Sequence, residues 1–270
     1  MRKTILTLCV ATISTSATMT PIASAMNIEE HNLTNSNIVT IEENLKELDY
    51  ASMISSAQFP YLVEKLKAYM QSNPNSSDEE INNYFKNLII ENYDANLVAL
   101  DSEISNYSYD YANSLPILAS RLGYNEKKVF NSNPAKGALV LSNAQAAIEM
   151  TSQHWKNTNS YHNDNGDAFR HTLWNAYNAN DCGVSYAKQF ADAHEKDSPN
   201  PYLENQMDLF NNALGRKIGS KSYSGNSSQV SYAIRQAVLK AIKNGEGRRF
   251  VGSDIGTKNT LQKTNSNGIK

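Results

Sequence analysis

Apolar residues recur at three- and four-residue intervals through most of the chain, and that period predicts helices. Leu45, Leu48, Ala51 and Met53 make one such segment, and Leu62, Leu66, Tyr69 and Met70 another, so two helices divided at Pro60 are expected. Ser77 stands where a helix cap is needed, with Glu80 three residues on to complete a capping box. The stripe Ile81, Tyr84, Phe85, Leu88 and Ile89 then repeats as one face of an amphipathic helix. From Asp94 to about Leu122 the period continues through Leu97, Leu100, Ile104, Tyr107, Tyr111, Leu115 and Leu118, with Pro116 placed to kink it and Gly123 to stop it. Tyr107, Tyr109 and Tyr111 also alternate, so a short strand is the other reading of that stretch.

Pro134 opens a further helix at its first turn, and Ala138, Leu141, Ala144, Ala147, Ile148 and Met150 carry it to about Trp155. After a polar loop from Asn157 to Gly166, helices are expected over Asp167 to about Asn180, Val184 to about Lys196, Tyr202 to Ile218, and Ser228 to about Asn244. Neither βαβ alternation, nor a glycine-rich phosphate loop, nor an internal repeat is present. The pattern is therefore that of an all-α, bundle-like protein. It divides into a disordered polar leader (26–44), an N-terminal helical region (45–130), a C-terminal helical domain (131–245) and a loosely held tail (246–270).

The first 25 residues change the picture, because they read as an export signal. Arg2 and Lys3 precede a short apolar run from Ile5 to Ile13, and Ala23-Ser24-Ala25 supplies small residues for cleavage. Leu8 before Cys9 disfavours a lipoprotein signal, so a secreted, extracellular or surface-associated product is expected. No later stretch has the ~20 apolar residues of a membrane span. Cleavage would leave Cys182 alone, so no intrachain disulfide can form. The formal charge of −2 becomes −4 without Arg2 and Lys3, which excludes a protein that coats nucleic acid.

Chemistry concentrates between Tyr161 and Gly219, which hold three of the five histidines. On a helix Asp167, Arg170, His171 and Trp174 fall at i, i+3, i+4 and i+7, so they share a stripe. His194 and Glu195 lie on the next predicted helix, and Asp208, Asn211, Asn212 and Arg216 on the one after it. Packed side by side, these helices can bring Asp167, His171, His194 and Asp208 to one divalent ion such as zinc. Glu195 and His162 are the candidate acid and base, and Arg170 is suited to a phosphate or carboxylate. Trp174, Asn211, Asn212 and Arg216 are the candidate substrate contacts. The same polar groups also suit a metal-free hydrogen-bonded site, since burying them unpaired costs several kcal/mol.

The runs NDNGDAFRHTLWNA, AKQFADAHE and MDLFNNALGRKIG resemble an uncharacterised bacterial domain family of exported, surface-associated and toxin-like proteins. The shared pattern is G-D-A-x-R-H-x-x-W, then A-H-E, then M-D-x-x-N-N-x-x-G-R-x-I-G, and the resemblance extends back toward Asn133. Phe210 stands where that pattern often has a histidine. The residues point to a secreted hydrolase, metal-assisted or not, acting on a phosphoester or a cell-envelope substrate. The rival expectations are a non-catalytic module that binds cell wall or protein, and a toxin or effector domain.

Overall fold

In this computed structural model the described residues are 48–98, 115, 118–157, 161–198, 200–250 and 261–270. They carry eight α-helices: α1 (Phe59–Ser72), α2 (Asp78–Glu91), α3 (Tyr124–Ser132), α4 (Pro134–His154), α5 (Asn165–Cys182), α6 (Val184–Asp197), α7 (Tyr202–Gly219) and α8 (Ser227–Lys243). Short 3-10 turns cover Tyr50–Met53 and Ala119–Arg121. Two two-residue strands, β1 (Arg248–Arg249) and β2 (Gln262–Lys263), pair antiparallel. The protein is thus all-α, as its periodicity predicts. The expected signal peptide, leader and Cys9 lie outside the described residues, as do the Tyr107 to Tyr111 stretch and most of the helix expected from Asp94. No helix among the described residues is long and apolar enough to cross a membrane.

Local chemistry sets the boundaries. Ser77 Oγ accepts from Glu80 N at 3.2 Å while Glu80 Oε2 accepts from Ser77 N at 2.8 Å, which is the expected capping box. Asn133 caps α4 by accepting from Lys136 N, with Pro134 in the first turn. Pro60 differs from expectation. It lies in the first turn of α1, where its missing N–H costs nothing, so it opens a helix rather than dividing two. Before it, Asp49 caps a single 3-10 turn that ends at extended Ile54. Helix α3 also departs from the sequence reading, in which Gly123 only ends a helix. Gly123 N donates to Glu126 Oε2 at 2.8 Å, and Asp197, the last residue of α6, accepts from the N–H groups of Asn125 and Glu126. An acid from a distant helix therefore satisfies the first turn of α3.

Helix α5 is the axis of the fold. Sixteen of its eighteen residues are buried, so it has no solvent face. It packs on α7 and α4 most extensively and also on α6 and α8. The approach of α7 is close because Gly215 and Gly219 face α5. A Cβ at either position would collide with the carbonyl oxygen of Thr172 or Ala176. Phe169, Trp174 and Phe190 fill the surrounding core, each fully buried and each contributing roughly 1.5–3 kcal/mol by area removed from water. Gly183, at φ 84°, makes the sharp turn from α5 into α6.

Of the tail expected to be loosely held, residues 261–270 have definite attachments. Ile269 bridges Trp155, Lys270 N donates to His154 O at 3.0 Å, and Asn265 and Asn267 hold both polar ends of the Asn165 amide. These contacts fix the chain at the end of α4 and at the first residue of α5.

Candidate functional site

The turn before α5 is built to aim a carboxylate. Asp164 Oδ1 caps α5 by accepting from Asp167 N at 2.9 Å. Tyr161 and Asn163 adopt left-handed backbone angles, φ 54° and 61°, a conformation that costs of order 1–3 kcal/mol for a bulky residue such as tyrosine. The result is that Asn163 N points at Asp167 Oδ2, 2.6 Å away. Phe250 N holds the same turn by donating to Asn163 O at 2.8 Å. Asp167 Oδ1 accepts from Arg170 Nη2 at 2.7 Å, one turn along the helix. Asp167 and Arg170 are both buried and complete each other as an i, i+3 pair.

A chain of amides then sets the state of His171. Arg216 is a donor only, and its Nη1 lies 2.9 Å from Asn175 Oδ1. Asn175 must therefore present Nδ2 to Asn212, whose Oδ1 accepts it at 2.8 Å. Asn212 Nδ2 in turn donates to Glu195 Oε1 at 3.0 Å. The oxygen of Asn212 is thus the atom 3.3 Å from His171 Nδ1, which makes Nδ1 the protonated nitrogen. His171 Nε2 is left with a lone pair. It faces Asp167 Oδ1 at 3.5 Å and Asp208 Oδ1 at 3.7 Å.

This meeting of three acceptors is electrostatically unusual. Asp208 Oδ1 is buried and receives no hydrogen bond, while Oδ2 accepts only a 3.3 Å contact from Asn200 Nδ2. Burial pushes the Asp208 carboxyl well above the ordinary carboxylate range, and Asp167, Glu195 and Glu204 push it further. Burial also raises Asp167, against the pull of Arg170 and the Asn163 N–H, and raises Glu195 against His194 and Asn212. His171 moves the other way. Burial, Arg170 and His194 together hold it well below the ordinary imidazole value, so it is neutral. A neutral imidazole beside a protonated carboxyl is the state these shifts favour.

Two further histidines flank the centre, each on its own acid. His194 Nδ1 lies 2.7 Å from Glu126 Oε1, and its ring meets Trp174 edge-on. Burial depresses His194, but the bond and charge of Glu126 outweigh it and raise the imidazole. His162 Nε2 lies 2.8 Å from Glu204 Oε1, and this bond raises His162 against partial burial. His162 keeps 25% of its side chain exposed, whereas the side chains of Asp167, His171 and Asp208 keep at most 7%.

The residues expected to carry chemistry divide accordingly. Asp167, Arg170, His171, Glu195, Asp208, Asn212 and Arg216 share one network, and His162 adjoins it through Asn163 and Glu204. Of the four expected metal ligands, Asp167, His171 and Asp208 converge, and His194 directs its Nδ1 to Glu126. Among the described residues no three His, Cys, Asp or Glu side chains form a group arranged to hold a metal ion. Trp174 is fully buried and donates from Nε1 to Val140 O, which makes it part of the core. Asn211 clamps β1 by exchanging two hydrogen bonds with the backbone of Arg248. Sequence reasoning missed Glu126, Asn163, Asn175 and Glu204. Glu204 stands four residues before Asp208 and Asn175 four after His171, so helical spacing alone could have found these two.

A family model described as a domain of unknown function (DUF6973) matches residues 127–246, from α3 to the turn after α8. An uncharacterised domain therefore spans the whole candidate site except Glu126. No curated protein and no solved structure matches the chain.

Proposed function

We propose that the protein is an exported hydrolase that cleaves a phosphoester of the cell envelope, with His171 as general base and Asp208 as general acid. The observation that supports this reading most directly is the lone pair of His171 Nε2 aimed at a carboxyl whose surroundings favour its protonated form. A matched base and acid with environments that shift them in useful directions is what acid–base catalysis needs near neutral pH. In the reaction His171 Nε2 takes a proton from water, and the hydroxide oxygen bonds to phosphorus. The bond from phosphorus to the leaving oxygen breaks, and Asp208 protonates that oxygen. Return of one proton from His171 to Asp208 restores the site. Arg170, held by Asp167, supplies positive charge toward the phosphoryl oxygens. Glu195 and Arg216 act through Asn212 and Asn175 as positioning residues.

A second reading adds a hard divalent cation. Asp167 Oδ1 and Asp208 Oδ1 lie 3.5 and 3.7 Å from the same nitrogen, and magnesium-type ions use one or two carboxylates completed by water and substrate phosphate. A third reading is a non-catalytic binding module whose polar network only fixes helix packing, and the deep burial of the network favours it.

The test is turnover of a phosphodiester, phospholipids and cell-wall material by the parent, His171→Ala and Asp208→Asn, with and without chelator. The expected result is activity in the parent and loss in both variants while the fold persists. Loss on chelation would select the cation-assisted form. A parent inactive on every substrate with and without added metal, alongside a lowered melting temperature for His171→Ala, would leave the binding module.

A further inference from the structure

The outer side of α7 carries features that the polar centre does not use. Phe210, Ala213 and Leu214 form the apolar wall of an open groove of about 530 Å³, and Lys217, Arg248 and Lys263 stand around it. Phe210 is 40% exposed. The Arg248 guanidinium lies over its ring, 4.1 Å from the centroid. Asn211 clamps the Arg248 backbone to α7 through two 2.9 Å bonds, so this cation is held at the groove rather than left to wander. Among the described residues no carboxylate lies within ion-pair distance of Lys217, Arg248 or Lys263. Glu246, also in the lining, leaves the groove with an excess of two positive charges.

The chain's charge distribution has the same direction. Residues 201–270 contain eleven Lys and Arg against four Asp and Glu, a formal +7, while the chain as a whole is −2. Apolar walls beneath a ring of cations suit a ligand with an anionic head and a greasy body. A purely polar polyphosphate or polyol phosphate would leave Phe210, Ala213 and Leu214 unused.

We propose that this groove binds the head of an anionic phospholipid at a membrane surface. Its phosphate sits among Lys217, Arg248 and Lys263, and the first methylenes of its chains rest on Phe210, Ala213 and Leu214. Each cation near such a surface contributes roughly five-fold in affinity. Each methylene removed from water adds about four-fold. This site is independent of the hydrolase reading, since the His171 centre lies on the opposite, buried side of α7.

The test titrates the full chain with monomeric short-chain phosphatidylglycerol and follows the backbone amide signals of Gly245 and Arg248. Matching titrations use short-chain phosphatidylcholine, inorganic phosphate and an acidic peptide. The expected result is saturable shifts with phosphatidylglycerol, at least ten-fold weaker with phosphatidylcholine or phosphate. The Lys217→Glu, Lys263→Glu variant should weaken the lipid by on the order of twenty-fold or more, in keeping with two cations lost. Lys217, Phe210 and Lys263 are exposed, so the variants Lys217→Glu, Lys263→Glu and Phe210→Ser leave the core intact, and a circular dichroism melt checks this. Equal response to inorganic phosphate would reduce the groove to a simple anion site and overturn the proposal. Tighter saturation by the acidic peptide, or shifts unchanged in the variants, would overturn it too.

Discussion

Arg216 Nη1 donates to Asn175 Oδ1 at 2.9 Å, and this contact heads the chain of amides that ends at His171 Nδ1. Removing the guanidinium takes a donor from Asn175 Oδ1 and leaves the chain held only by Asn175 Nδ2 on His171 O and Asn212 Nδ2 on Glu195 Oε1. In Arg216→Met the His171 ring should populate both tautomers, read from its ring nitrogen shifts, and turnover should fall about ten-fold with little change in KM. A purely structural Arg216 would lower stability and leave the tautomer as it is.

Asp208→Asn should separate stability from activity. Turnover is expected to drop by roughly 10²–10⁴, the usual contribution of a positioned acid. The melting temperature should hold or rise at neutral pH, because burial and three neighbouring carboxylates make an ionised Asp208 unfavourable. The sign follows from linkage. A carboxyl raised in the folded state gives its full contribution below its unfolded value and loses it as pH climbs through the folded one. Melts of parent and variant should therefore diverge as the pH rises above the ordinary carboxylate value, with the parent losing ground. A variant that melts well below the parent throughout would sink this account.

The pH–rate profile should be a broad bell. Its acid limb belongs to His171 and falls below the ordinary imidazole value, since burial and Arg170 hold the ring neutral. Its alkaline limb belongs to Asp208 and lies above the carboxylate range. Asp208→Asn should remove the alkaline limb and spare the acid one. A profile whose acid limb stands at the value of a free histidine would contradict the depression of His171 by burial and Arg170.

Gly219→Ala should destabilise the protein by at least 1–3 kcal/mol, measured by chemical denaturation, because the added methyl meets the backbone of α5 rather than a movable side chain. Gly183→Ala creates no such clash, and any loss there comes from its positive φ alone. The ordering of the two variants checks the close approach of α7 to α5.

The helices were largely legible in the sequence because their apolar positions recur so regularly, and the caps at Ser77 and Asn133 because cap chemistry is local. Asp167, His171 and Asp208 were legible for a similar reason, as short polar residues inside apolar periods. The stripe argument failed for Trp174, since α5 is buried on every side and each of its faces meets protein. Glu126 carried no signal. It stands on a short helix whose first turn is satisfied by Asp197, seventy-one residues away, and no local pattern announces such a partner. Pro60 misled because a proline that opens a helix and one that divides two look alike until the flanking turn is known.

The last residues of the chain hold Asn165, Trp155 and His154, and so brace the turn that aims Asp167. Asn265 is made one hundred positions after Asn165. Until it emerges, the turn has the bond from Phe250 but not this second brace. A product cut short by a premature stop before residue 261 keeps every residue of the centre and lacks these contacts. The order of synthesis thus places a brace after the residues it serves.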